Sequence, residues 1–181
     1  MKTTISILCA LLGAGCATTP VEKRGATIEF AGEKLSLAYV ETNPMGGVLN
    51  EYIREKDSLS SWQVMFAVRY VPDAATPDDA VKRWIVALRT SKTPGAAIQD
   101  RPGSTALDRR FGAAVRPPDD SYLEMNEVRF IPNPDGHGVL YYQAASRVNP
   151  KDEKELLAAF SKQGFFEKAL RTVTIQPVRE K

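Results

Sequence analysis

Apolar side chains alternate most cleanly at Trp62, Val64, Phe66, Val68 and Tyr70, every second position. Period two is strand spacing. Met65 and Ala67 fill the opposite face, so this strand is expected inside a sheet that is covered on both sides. Earlier, residues 26–30 and 35–40 flank Ala31-Gly32-Glu33-Lys34 and predict a hairpin, with Gly32 supplying the turn backbone. Asn43-Pro44-Met45-Gly46-Gly47 predicts a turn, and residues 48–54 a third strand. After the central strand the period becomes helical. Thr76 is an N-cap, Pro77 a first helical residue and Asp79 an acid in the first turn. Val81, Trp84, Ile85 and Leu88 form one apolar stripe, Lys82, Arg83 and Arg89 face water, and Thr93-Pro94-Gly95 ends the helix.

The second half repeats these signals less regularly. Residues 106–110 and 113–116 predict two short strands, and residues 122–131 and 139–148 two long ones around a turn-rich 132–138. Asn149 and Pro150 predict the start of a second helix with Leu156, Leu157, Ala159 and Phe160 buried and Gly164 as its C′ residue. Phe165, Phe166, Ala169 and Leu170 open a last apolar element, and Val173 and Ile175 a closing strand. This order predicts an α+β fold, a mainly antiparallel sheet with two or three helices packed against it, as one domain over residues 26–178.

The first residues follow different rules. Lys2 precedes an apolar run at 5–12 that is interrupted only by Ser6. The run is far shorter than the roughly 20 residues of a membrane span and has the anatomy of a signal peptide. Leu12-Gly13-Ala14-Gly15-Cys16 then resembles the bacterial lipoprotein signal, with Gly13 where that signal usually has Leu. The resemblance implies removal of residues 1–15, a lipid on Cys16, a tether over 16–25 and attachment to the membrane. Ala17 stands where an Asp would favour the inner membrane, which implies the periplasmic face of the outer membrane. The alternative is ordinary cleavage after Ala17 and a soluble periplasmic protein. Cys9 leaves with the signal in either case, so the mature chain has no disulfide and no cysteine nucleophile.

Further along, Leu49-Asn50-Glu51-Tyr52, Trp62, Glu124-Met125-Asn126 and Tyr141-Tyr142 are similar to a pattern in uncharacterised exported proteins of Gram-negative bacteria, over residues 26–175. The element order also resembles the Mog1/PsbP architecture. Neither resemblance implies catalytic residues, and a fold alone assigns no function.

With 181 residues, 43% apolar and 25% charged, the chain is an ordinary globular one of formal charge +2. The distribution of charge says more than the sum. Residues 81–118 carry eight basic and two acidic side chains, whereas 16–80 carry six and ten. Lys82, Arg83, Arg89, Arg109, Arg110 and Arg116 are therefore a candidate face for an envelope protein or an anionic envelope polymer. The bland alternative scatters them or pairs them with acids such as Glu51, Glu55 and Asp57. Other chemistry is sparse. His137 is the single histidine and sits between two glycines at a predicted hairpin tip. Asp119, Asp120 and Glu124 lack the spacing of a calcium loop. Glu51 and Glu124 are a carboxylate pair only if the fold brings them together. No Gly-rich loop opens a helix and no G-x-S-x-G motif occurs. The expectation is a lipid-anchored, non-enzymatic accessory or binding protein without metal, cofactor or nucleic-acid partner. Its rivals are a carrier of an apolar ligand and a hydrolase with an unrecognised carboxylate site.

Overall fold

A computed structural model describes residues 25–90, 96–117 and 119–179. The signal segment, Cys16, the tether up to residue 24, Lys92, Thr93-Pro94-Gly95 and Pro118 lie outside the described residues. Eight strands form one open sheet: β1 Thr27–Phe30, β2 Glu33–Thr42, β3 Val48–Ile53, β4 Val64–Val71, β5 Ala97–Asp100, β6 Arg109–Val115, β7 Leu123–Pro132 and β8 Val139–Val148. Helices α1 (Pro77–Thr90) and α2 (Glu153–Leu170) follow β4 and β8. The order across the sheet is β1-β2-β3-β4-β8-β7-β6-β5, with every neighbouring pair antiparallel. The chain thus lays down two four-stranded meanders, each closed by a helix, and joins them through β4 and β8. The fold is mainly β with helices packed on it, the α+β class read from the sequence.

Local chemistry explains the elements that the pattern foresaw. Ala31 and Gly32, both at positive φ, make the two-residue turn that pairs Phe30 with Glu33. The Thr76 Oγ1 accepts from the Asp79 N–H at 3.2 Å and caps α1. α1 then covers β6 and β7 with the predicted stripe, where Trp84 lies 5.8 Å from Phe130 and 6.3 Å from Phe111. Phe111, Val128, Phe130, Val139 and Tyr141 complete this half of the core.

On the other side of the sheet α2 packs on β7 and β8. Phe166 and Leu170 join Phe30, Leu35, Tyr52, Phe66 and Tyr142 there. This helix departs from expectation in four ways. It is capped by Asp152, whose Oδ1 accepts from the N–H groups of Lys154 (2.9 Å) and Glu155 (3.1 Å), so it starts three residues after Asn149 and Pro150. It runs through Gly164 to Leu170 as one element. Its buried stripe is Ala159, Gln163, Phe166 and Leu170, a 4-3-4 spacing that passes over Gly164, which is why no break occurs there. Leu157 and Phe160 consequently point outward, 61% and 62% exposed. No closing strand forms. The Arg129 guanidinium donates to the carbonyls of Leu170 and Val173, and buried Asn50 both accepts from and donates to the Val178 backbone. These side chains hold the C-terminal stretch where strand pairing was expected.

Two corrections concern the strands. Trp62 precedes β4 and packs with Ile53, Met65 and Ala145, on the face opposite Phe66. The irregular segment before β4 breaks the period-two parity that put both on one side. The two short strands expected at 106–110 and 113–116 are one strand, β6, with Thr105 and Asp108 bridging the loop before it.

Candidate functional site

The basic block does not gather on one side. Lys82, Arg83 and Arg89 are exposed on α1. Arg83 pairs with Asp73 at 2.5 Å, and Arg109 reaches Asp78 at 3.2 Å and Asp100 at 3.4 Å while lying over the Phe111 ring. Arg116 pairs with Asp120 at 3.3 Å. Arg110 points to the α2 side and is buried, 7% exposed, with its guanidinium donating to the carbonyls of Pro102 and Gly103. It shares Asp108 with Arg129, its cross-strand neighbour. The acids seen to meet these basic side chains are Asp73, Asp78, Asp100, Asp108 and Asp120, which lie in neighbouring loops, at the end of β5 and at the start of α1. The reason is proximity: the β5–β6 hairpin and the loop before α1 bring Asp100, Asp108, Asp73 and Asp78 beside them.

The other candidates also separate. Glu51 on β3 and Glu124 on β7 share a face but stand three strand spacings apart, about 14 Å across the sheet, beyond the carboxylate distances of glycosidases. Glu124 is occupied by Arg147 at 3.1 Å, both nearly buried. Arg147 is sandwiched between the rings of Trp62 (3.8 Å) and Tyr122 (4.3 Å), which clasps two loops onto the sheet. Asp119 accepts from the Ser121 hydroxyl and N–H, which hold its carboxyl below the usual range. His137 is exposed, with its Nε2 3.4 Å from the Tyr70 hydroxyl. Among the described residues no group of three or more His, Cys, Asp or Glu is placed to hold a metal ion.

What the fold does assemble is a cleft of about 400 Å³ where the sheet extends past α2. Its floor is low because Gly112, Ala114 and Ala97 carry little or no side chain, and Gly164 leaves the helix wall open. Arg101 crosses the floor. A Cβ at Gly112 would stand 2.0 Å from its guanidinium, so this glycine is what lets the arginine lie flat on β6. The guanidinium donates from Nε to Glu127 Oε2 at 2.8 Å, and a second nitrogen meets Oε1 in a bidentate pair. Burial pushes the Glu127 carboxyl up, Arg101 opposes that, and Glu167 adds a little to the rise. Glu167 is itself paired with Arg171 at 2.7 Å. The Gln163 amide donates to the Met125 carbonyl and the Ser146 hydroxyl, while its Oε1, buried, has no partner among the described residues. Phe160 forms an exposed apolar lip.

A family model matches residues 24–173. The chain belongs to that uncharacterised family. The match spans the whole sheet and both helices, so the family is defined by the folded domain and not by the N-terminal segment. It agrees with the resemblance to an uncharacterised family noted over 26–175, and leaves export and the Mog1/PsbP likeness outside what the match establishes. No curated protein and no solved structure matches the chain.

The sequence points to none of the cleft residues as a site: Phe160 and Gly164 read only as parts of the second helix, and Met125 and Asn126 only as parts of a strand motif. Arg101 was counted only as one charge in a basic block, and Glu127 only as part of a strand. Their pairing depends on the β5–β6–β7 register, which places Gln99 opposite Gly112 and Gly112 opposite Glu127. The local signal is Gly112, which stands between the two short strands expected at 106–110 and 113–116; the structure places it inside β6, where a glycine marks close approach by another group.

Proposed function

We propose that this protein is a lipid-anchored cell-envelope protein that acts as a non-enzymatic accessory or binding domain, held through Cys16 at the periplasmic face of the outer membrane. The cleft beside α2 is its binding site. The observation that carries the binding role is the commitment of the cleft's carboxylates: Glu127 to Arg101 and Glu167 to Arg171. An acid–base or nucleophilic carboxylate needs a free face toward substrate, whereas tied carboxylates serve recognition. The lining mixes Ala97, Ile98, Met125 and Phe160 with Gln99, Arg101, Glu127 and Gln163. That mixture favours a partner segment offering an apolar group and a polar one over a wholly apolar cargo. The anchor reading is supported by residues 1–16 and agrees with the finding that no described helix is long and apolar enough to cross a membrane. The likeness to the Mog1/PsbP architecture is supported by the early hairpin and by a helix directly after β4.

Two experiments test the two halves. Cys16→Ser should abolish palmitate labelling and move the protein out of the membrane fraction, and retained labelling would end the anchor reading. For the cleft, Gly164→Leu fills the opening from a position with nothing within 4 Å of its Cβ. Crosslinking and pull-down from intact cells should lose the partner with this variant while the fold is kept. Equal capture by both proteins would end the cleft reading.

A further inference from the structure

The outer face of α2 carries Leu157, Phe160 and Phe165, which are 61%, 62% and 68% exposed. At 100° per residue Leu157, Phe160, Gly164 and Phe165 fall within an arc of about 140° that faces away from the buried Ala159, Gln163, Phe166 and Leu170, with Phe160 at the cleft edge of the arc, Phe165 at the other edge, and Glu153 and Ser161 inside it. Lys154 and Lys168 fall on this outer side too, and neither has an ion-pair partner among the described residues. Large apolar groups in a row with unpaired lysines at each end is the pattern of a helix that lies in a bilayer interface, where the ammonium heads meet anionic headgroups. Such a ridge is out of place on a helix whose other face already closes a core.

The start of the domain decides which surface this ridge meets. The first hairpin reaches α2 at two points: Phe30, at the end of β1, lies 5.8 Å from Phe166, and Glu33 at the start of β2 pairs with Lys162 at 2.8 Å. The chain leaves the domain just before β1, and residues 16–24 can span at most about 30 Å when fully extended. A lipid at Cys16 would therefore keep the bilayer within a short reach of the α2 side of the sheet. α1, with exposed Val86, lies on the other side.

We propose that the outer face of α2 rests on the anionic bilayer to which the chain is tethered, with Leu157, Phe160 and Phe165 entering the interface and Lys154 and Lys168 on its headgroups. This rests on the anchored reading above and adds which side of the domain meets the membrane. The cleft, with Phe160 as its lip, then opens at the bilayer surface.

The test supplies the tether chemically, so it does not depend on how cells process the chain. The mature chain, residues 16–181, is coupled through Cys16 to a maleimide lipid in phosphatidylethanolamine–phosphatidylglycerol vesicles. A benzoylphenylalanine replaces Phe160 in one sample and Val86 in another. After irradiation, lipid adducts are expected at position 160 and absent at 86. In the same vesicles, a fluorophore at position 165 (Phe165→Cys, labelled before coupling with Cys16 protected) should lose most of its quenching by brominated lipid when Leu157→Ser and Phe160→Ser are introduced, because removing two large apolar side chains from the interface weakens docking by about a hundredfold or more. Equal lipid adducts at 160 and 86, adducts only to a second copy of the chain, or quenching unchanged in the double variant would overturn the proposal. Failure of palmitate labelling at Cys16 in cells would remove the anchor reading while this measurement still reports on the ridge.

Discussion

Replacing Glu33 by Gln tests how α2 is held over the first hairpin. The Glu33 carboxylate accepts from the Arg54 Nε at 3.0 Å, pairs with a second Arg54 nitrogen, and meets the Lys162 Nζ at 2.8 Å. It thus ties β2 to the end of β3 and to the middle of α2. The Arg54 hydrogen bonds first, and then Lys162, hold its carboxyl well below the ordinary 4.5, at about 2, against the opposing effect of burial. At about 1.36 kcal/mol per unit of pKa, an undiminished effect would be ~3.4 kcal/mol. The group is partly solvated, 22% exposed, so screening leaves ~1–2 kcal/mol. The sign follows from the depressed folded-state pKa. The contribution is fully present above about pH 4.5 and drains away as pH falls toward 2. Urea unfolding of the two proteins side by side at pH 7, 5, 4, 3 and 2, followed by tryptophan fluorescence, isolates this one group because every other carboxylate is common to both. Glu33→Gln should be less stable by ~1–2 kcal/mol at pH 7, with the gap closing below pH 4. A gap that stays constant from pH 7 to pH 2, or one that opens on acidification, would refute the argument. Lys162→Met should remove the smaller part of the same effect, since Arg54 supplies the larger.

Other outcomes follow from single side chains. Trp84→Ala should cost about 3–5 kcal/mol in urea unfolding, as it empties a site ringed by Phe111, Phe130 and Tyr141. Readily quenched Trp84 fluorescence in a Trp62→Phe background would contradict that burial. Arg147→Ala strands a nearly buried Glu124 and should cost about 3–5 kcal/mol, most of it regained in the Arg147→Ala/Glu124→Gln double variant. No regain would mean that the aromatic sandwich, not the ion pair, carries the energy. Gly112→Ala should push Arg101 off Glu127 and cost about 1–3 kcal/mol by leaving a buried carboxylate short of donors. A cost below about 0.5 kcal/mol, typical of ordinary surface changes, would mean that the arginine simply swings aside.

The elements read most directly from the chain are those set by neighbours in sequence. The alternation at 64–70 becomes β4, and 139–148 is β8 residue for residue. Thr76 and Pro77 start α1 where a cap and a ring-fixed φ allow it. Signals of this kind hold because the side-chain period and the terminal N–H groups are satisfied within a few residues. β5 was missed because four residues, mostly exposed, carry no alternation.

The sequence by itself determined that the chain folds as hairpins with interposed helices, and where its central strands lie. Only the tertiary structure decided which side of α2 is buried. Leu156, Leu157, Ala159, Phe160, Phe165, Phe166, Ala169 and Leu170 place apolar groups around most of that helix, so periodicity names no single face. The sheet chose Ala159, Gln163, Phe166 and Leu170 because Gln163 could satisfy the Met125 carbonyl and the Ser146 hydroxyl there, and Phe166 could fill the space beside Phe30. That choice turned Leu157, Phe160 and Phe165 to the surface. Register likewise separated Glu51 from Glu124 and brought Arg101 to Glu127. Pairings between residues far apart in sequence are fixed by strand order and shape complementarity, and neither is written in any local window of the chain.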